Sequence, residues 1–220
     1  MSIEPSTLAE RAFEGIYQMI MSGELPLGGE VNEMALSMHF SISRGPIREA
    51  VQRLQGLRLV TREPYMRARV VSLSWQDLVE IFQLREAVEG MACRLAAAHM
   101  DVTEIDALIG RLETQRPGSA SRRARAARPL DLHSAIAAGC GNARIRQLLC
   151  EELHHLLRLD RRRSGDRPGR RDRAYEEHWQ ILRALRARDG VLAESLMRAH
   201  IARATETLLR EASATAVAGD

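Results

Sequence analysis

Apolar side chains recur with helical spacing near residue 50. Ile47, Ala50, Val51 and Leu54 stand at positions i, i+3, i+4 and i+7, which places them on one face of an α-helix. Ser43 precedes this run and suits the N-cap position, because its hydroxyl can accept a backbone N–H of the first turn. The pattern therefore predicts a helix that begins just after Ser43 and buries one face.

Another face of the same predicted helix is polar. Arg44, Arg48 and Gln52 recur every four residues, away from the apolar stripe. A helix with one apolar face and one Arg/Gln face suits the major groove of DNA, where arginine pairs with guanine and glutamine pairs with adenine. We therefore predict that this helix reads DNA.

The flanking segments predict a small domain around this helix. Thr7 and Glu10 have the spacing of a capping box, and a helical pattern follows over residues 8–21. A second, short helix is predicted over 32–39, and residues 59–71 alternate as a small β-hairpin does. The order helix, helix, helix, hairpin indicates a winged helix-turn-helix domain over residues 1–72.

The predicted DNA-reading helix also carries a family motif. Residues 43–54 follow the pattern S-R-x-P-[IV]-R-E-A-[LV]-x-R-L at nearly every specified position. Over about residues 7–72 the chain resembles the GntR family of bacterial transcription regulators. The helix face and the resemblance together predict DNA contacts by residues of the helix and of the hairpin, or wing: Ser43, Arg44, Gly45, Arg48, Gln52, Arg62, Arg67 and Arg69.

Two positions depart from the family pattern. Arg58 stands where family members usually have a glycine before the wing, and Arg67 stands where the wing tip usually has one. Glycine adopts positive φ angles at little cost. We therefore expect the third helix to end differently and the wing to dock differently.

The strand pattern disappears after Ser74, and only helical spacing remains. Helices are predicted over 74–99, 103–114, 130–138, 142–161, 171–188 and 190–211. Residues 116–123 and 161–170, which are rich in Pro, Gly, Ser and Arg, are predicted to be mobile loops. The predicted fold class is therefore mainly α, with the winged helix-turn-helix and its small β wing followed by an all-α bundle of about six helices over 73–220.

Polar side chains interrupt the apolar stripes of this bundle. Arg85 lies in the stripe of the first bundle helix, where a buried guanidinium needs an anion, either an internal carboxylate or the acid group of a ligand. His133, His178 and His200 occupy inward positions on three different helices. Because helical bundles often hold metals between facing helices, the histidines predict a divalent metal site, with Zn²⁺ or Ni²⁺ as the expected ion.

Short motifs in the bundle carry a second resemblance. LREAVE at 84–89, LHSAI at 132–136, EHWQI at 177–181 and MRAHI at 197–201 are similar in order and spacing to the FCD domain of the FadR-like branch of the GntR family. The resemblance implies a metal held by the three histidines and an aspartate, and a small organic or sugar acid bound by that metal and Arg85. Pro129 takes the aspartate's place, which leaves Asp131, water or the effector as the fourth ligand.

Charge and composition narrow the class of protein. Residues 44–69 hold seven arginines against two glutamates, a basic patch that attracts DNA phosphates. Three cysteines without paired spacing fit a reducing compartment, and the N-terminal residues lack the pattern of a secretory signal. No apolar run approaches the roughly 20 residues that span a bilayer. We therefore expect a cytoplasmic protein without a membrane partner.

Together these patterns predict a homodimeric repressor that binds a palindromic double-stranded operator and responds to a carboxylate effector. One alternative is a metal-free regulator with an acyl or apolar effector, which would leave the inward histidines unexplained. The other is a metal-dependent hydrolase or lyase, because a metal on three histidines can activate water. No acid is placed as an obvious general base beside the histidines, so we expect no enzyme activity.

Overall fold

The computed structural model describes residues 7–116, 131–164 and 170–218. The chain forms two compact units. One comprises the chain up to Ser74 together with His155–Asp160, and the other comprises Trp75–His154 together with the chain after Asp160. Most of the loop predicted at 116–123, and residues 165–169 of the loop predicted at 161–170, lie outside the described residues.

The first unit has three helices followed by a β-hairpin. These are α1 (Leu8–Ser22), α2 (Glu33–Phe40), α3 (Arg44–Gly56), β1 (Val60–Thr61) and β2 (Arg69–Val70). The strands are antiparallel, with Val60 opposite Val70. The predicted winged helix-turn-helix is confirmed, and the small sheet is its wing. Thr7 and Glu10 form the predicted capping box at the start of α1.

Burial of one face anchors α3. Ile47, Ala50, Val51 and Leu54 are fully buried where α3 packs against α1. Burying an Ile, Val or Leu side chain contributes about 1.5–3 kcal/mol relative to leaving it exposed. Ser43 occupies the N-cap with an extended backbone, but its hydroxyl makes no capping hydrogen bond to the described first turn. That detail of the prediction is wrong.

The C-terminal end of α3 is capped by a non-glycine residue in the left-handed conformation. Arg58 has a φ of 57°, the left-handed conformation that glycine adopts more cheaply. The Arg58 N–H donates to the Gln55 carbonyl, and the Leu59 N–H donates to the Leu54 carbonyl. These two bonds satisfy carbonyls of the last turn and direct the chain into β1.

At the wing tip the positive φ belongs to Tyr65 and not to Arg67. The Met66 N–H donates to the Glu63 carbonyl, and Tyr65 has a φ of 64°. A positive φ at the third position is the requirement of a type II turn. The positive φ that the family pattern would place at the position of Arg67 therefore occurs two residues earlier, at Tyr65.

The described residues of the second unit form helices joined by short turns. Its helices are α4 (Trp75–His99), α5 (Val102–Glu113), α6 (Leu132–Gly139), α7 (Ala143–Gln147), α8 (His154–Ser164), α9 (Arg170–Arg186) and α10 (Gly190–Ala218), although most of α8 belongs to the first unit. A π-helical turn, Leu148–Glu152, separates α7 from α8. The single helix predicted over 142–161 is therefore divided, and α8 extends to Ser164, into the predicted loop.

Four helices pack together in the core of the second unit. Helix α10 packs along α4, α9 packs against α10, and α6 packs against α4. Leu78, Ile136, Ile181, Leu185 and Met197 are fully buried where these helices meet. This packing brings together the helices that carry Arg85 and the three predicted metal ligands. None of the described helices is long and apolar enough to cross a membrane.

Candidate metal centre and nucleic-acid interface

Three histidine side chains lie together in the second unit. His133 comes from α6, His178 from α9 and His200 from α10. One possible ligand atom from each ring lies within 4.8 Å of the other two, and the ring centroids are 4.8 to 5.4 Å apart. The structure thus brings together the three histidines that the sequence predicts as metal ligands.

Local packing explains why the three rings point inward. Ile136, Ile181 and Met197 each lie three residues from one of the histidines, and all three are buried. Residues three apart share a helix face, so each histidine is held on the buried face of its own helix. The three histidines are half-buried.

A buried carboxylate orients the first ring. Glu89 on α4 accepts a hydrogen bond from Nδ1 of His133 through Oε2 and one from Nε of Arg85, at 2.6 Å, through Oε1. Glu89 is only 2% exposed. Burial alone would raise the pKa of Glu89, but the Arg85 guanidinium and His133 outweigh it and hold that pKa far below its usual range. Glu89 is therefore a buried anion bound between two donors.

A second carboxylate orients another ring in the same way. Glu177 on α9 lies 2.5 Å from Nδ1 of His200, and its other oxygen accepts a 2.7 Å hydrogen bond from Nε of Arg203. Burial raises the pKa of Glu177, but the hydrogen bond from His200 and the charge of Arg203 lower it on balance. Burial also lowers the pKa of His200, which favours the neutral imidazole that a metal requires.

Two Arg–Glu–His chains therefore converge on the histidine cluster. A carboxylate only accepts hydrogen bonds, so Nδ1 of His133 and Nδ1 of His200 carry the proton. Nε2 of each ring is then the nitrogen with a lone pair for a ligand bond. Metal-binding histidines commonly donate their other N–H to a carboxylate, which fixes the tautomer and the ring orientation.

Sequence reasoning missed both carboxylates. Glu89 lies four residues after Arg85, so the two share a helix face, and that spacing was a usable signal. Glu177 reaches His200 and Arg203 on another helix, and helical spacing within α9 contains no information about that contact.

Asp131 is not brought into the cluster. Its carboxylate caps α6 by accepting the Ser134 N–H at 3.2 Å, and it lies 3.6 Å from Nδ1 of His154. The group of potential ligand atoms within 4.8 Å of one another contains the three histidines without Asp131. In this arrangement the aspartate begins the helix that carries His133. Pro129 lies outside the described residues.

Arg85 has the internal partner that was one of the two predicted alternatives. Its side chain is 7% exposed, its Nε is bound to Glu89, and its guanidinium lies 4.6 Å from the centre of the Phe82 ring. The guanidinium therefore has an anion within the fold, before any ligand is considered.

The predicted DNA-reading residues are all on the surface of the first unit. Ser43, Arg44, Gly45, Arg48 and Gln52 are exposed at the start and along the outer face of α3. These exposed residues differ from the buried residues that anchor the helix to α1. The geometry leaves this side of α3 open to a large partner.

The wing arginines are exposed too, and each has a contact within the unit. Arg62 forms an ion pair with Glu33, Arg67 with Glu30, and Arg69 donates a 2.9 Å hydrogen bond to the Gly28 carbonyl. Arg48 of α3 lies 3.8 Å from the same Glu33. Arg48 of α3 and the three wing arginines are thus contacted by Gly28 and Glu30, before α2, and by Glu33, its first residue.

Two family models match the chain. The model for bacterial regulatory proteins of the gntR family matches residues 8–70, and the FCD domain matches residues 80–203. A GntR regulator of known structure from Rhodococcus sp. RHA1 has a TM-score of 0.71 with 20% identity, covering 93% of this chain and 98% of that one. This structural likeness shows a shared fold.

Curated relatives share sequence across both units. The probable D-xylose utilization operon transcriptional repressor of Paenarthrobacter nicotinovorans is 33% identical over 202 residues, 90% of this chain and 87% of the relative. The HTH-type transcriptional repressor GlaR of Escherichia coli strain K12 is 30% identical over 192 residues, 83% of this chain and 87% of the relative. The chain therefore belongs to the GntR family with a C-terminal FCD domain, and it is a DNA-binding transcription regulator rather than a hydrolase or lyase.

Proposed function

We propose that this regulator is a cytoplasmic repressor that binds a palindromic operator as a homodimer. Both curated relatives are named repressors, which supports repression. The operator contacts come from Ser43, Arg44, Gly45, Arg48 and Gln52 of α3 in the major groove, and from Arg62, Arg67 and Arg69 of the wing on phosphates and the minor groove. The exposure of all these residues supports the assignment.

The second unit, in this proposal, holds a divalent metal on His133, His178 and His200. The observation that carries it is the convergence of three ligand atoms within 4.8 Å of one another from three separate helices. Imidazole nitrogen suits Zn²⁺ and Ni²⁺, and three protein ligands leave coordination positions open. The residues therefore fit such an ion, and the ion would supply a positive, oxygen-binding centre in the bundle.

An anionic effector follows from the charges around this centre. Glu89 is paired with Arg85 and Glu177 with Arg203, so each carboxylate is already offset by a guanidinium. Neutral imidazoles bring no charge, so the ion's positive charge stays uncompensated and favours an anion. We propose a small organic or sugar acid bound to the metal near Arg85. A direct bond from Nε of Arg85 to this acid requires Glu89 to release that nitrogen.

Replacing Arg48 tests the operator contact. Arg48→Ala is expected to lose about 1–3 kcal/mol of operator affinity for each base contact removed, while the fold survives because the side chain is exposed. Fluorescence anisotropy compares an operator duplex, selected in vitro with the wild type, against a random duplex.

The matched control is Arg53→Ala. It removes the same charge from the same helix, but the Arg53 guanidinium lies 4.2 Å from the centre of the Phe13 ring on α1. Its operator affinity should stay close to wild type. If Arg48→Ala binds the operator as tightly as wild type does, α3 does not read DNA through Arg48.

A panel of acids tests the effector. A short organic or sugar acid should raise the melting temperature of metal-loaded wild type. At a hundredfold excess over its dissociation constant, a ligand that binds only the folded state adds about 2.7 kcal/mol to the free energy of unfolding. His178→Ala under the same conditions should not respond. A long-chain fatty acid as the best hit, or an equal shift in His178→Ala, would instead support the metal-free regulator with an acyl effector.

A further inference from the structure

Two acidic side chains contact arginines of the proposed DNA-binding face. Glu33 is the first residue of α2, and its side chain is only 15% exposed. One of its oxygens lies 3.8 Å from Nε of Arg48, and the other is bound to Arg62. Glu30, just before α2, pairs with Arg67 of the wing at 2.5 Å.

Stability accounts for little of the Arg48–Glu33 and Arg67–Glu30 pairs. Exposed ion pairs contribute about 0–1 kcal/mol, and Arg48 and Arg67 are 59% and 74% exposed. What the pairs do change is the position and the effective charge of three arginines that lie on the proposed DNA-binding face. Arg44 of the same face forms no ion pair with any residue that the structure describes.

The position and the charge of these arginines affect operator recognition and non-specific DNA binding differently. Reading a guanine requires an arginine held in a defined geometry, whereas attraction to phosphates requires only positive charge. A carboxylate beside an arginine limits the conformations of that arginine. It also opposes the approach of a phosphate, so it weakens binding to DNA of any sequence.

We infer that Glu33 and Glu30 determine operator specificity, by positioning Arg48, Arg62 and Arg67 and by offsetting their charge against non-operator DNA. The inference rests on the DNA contacts proposed above. Neither carboxylate needs to touch a base, because each acts through the arginine that it holds. Specificity is the ratio of two affinities, and the carboxylates lower the affinity for the wrong partner.

The test uses Glu33→Gln and Glu30→Gln in the full chain. Each removes one negative charge and keeps the shape of the side chain. The matched control is Glu63→Gln, which makes the same charge change at an exposed wing position whose side chain forms no ion pair with a described residue. Affinities for the selected operator and for a random duplex are measured at about 50 mM and about 200 mM salt, where phosphate contacts differ strongly in strength.

Glu33→Gln and Glu30→Gln should each bind the random duplex about threefold to tenfold more tightly, with a salt dependence steeper by about one unit. Their operator affinity should change by less, so the ratio of operator to random affinity falls. Glu63→Gln should leave that ratio close to wild type. Because Glu33 begins α2, circular dichroism checks the folding of Glu33→Gln, and Glu30→Gln supplies an independent variant outside the helix.

The inference is overturned if all three glutamine variants change both affinities by the same factor, since net charge alone would then explain the result. It is also overturned if Glu33→Gln and Glu30→Gln keep the wild-type ratio. A failure of the underlying proposal looks different: Arg48→Ala and Arg62→Ala would then bind the operator as wild type does, whatever the glutamine variants do.

Discussion

Arg85→Ala should lower the free energy of unfolding by about 3–5 kcal/mol relative to wild type. The substitution leaves Glu89 buried, with 2% exposure, and without the guanidinium that offsets its charge. Breaking a buried ion pair by removing one partner has a cost of this size, because the remaining charge stays in a poorly solvated environment. Urea denaturation of the metal-free protein, followed by circular dichroism, measures the difference.

Arg94→Ala is the matched control for this prediction. It lies on the same helix and pairs with Glu194 at 3.2 Å, but its side chain is 54% exposed. Arg94→Ala should lower the free energy of unfolding by no more than about 1 kcal/mol. The double variant Arg85→Met/Glu89→Leu should recover most of the stability, because it removes both buried charges at once. If Arg85→Ala is as stable as Arg94→Ala, the Arg85–Glu89 pair is not buried in solution.

Local periodicity was sufficient to predict α3 and its buried face. Its four anchoring residues are spaced within two turns, and the structure buries that face and leaves Arg44, Arg48 and Gln52 exposed. The inward placement of the three histidines was predictable for the same reason, since each lies three residues from a buried apolar residue. Spacing along one helix determines which face is buried, and nothing more is needed for these assignments.

Contacts between different helices or segments could not be predicted from the spacing of residues along one helix. Glu177 orients His200 from another helix, and Glu33 holds Arg62 from 29 residues away. Asp131 has a carboxylate of the kind that binds metals. In the structure this carboxylate caps α6, because Asp is a favourable N-cap and the Ser134 N–H needs an acceptor. The positive φ of Tyr65 also follows from where the wing turn closes, which alternation of residue types does not specify.

His178→Ala should lose the metal almost completely. Changes around a metal site that leave its ligands in place typically weaken binding by 10- to 100-fold, so the loss of one of three ligands should exceed about 100-fold. An ion that binds only the folded state stabilises it by mass action, so the metal should also raise the melting temperature of wild type and leave His178→Ala unchanged. His154→Ala is the matched control, because His154 lies near Ser134 and Asp131, outside the histidine cluster.

Metal content per chain is the most direct test of the proposed metal centre. Wild type, His154→Ala and His178→Ala are dialysed against Zn²⁺ or Ni²⁺, then against buffer, and analysed for bound metal. The account predicts about one ion per chain in wild type and in His154→Ala, and almost none in His178→Ala. A wild type as free of metal as His178→Ala would contradict it.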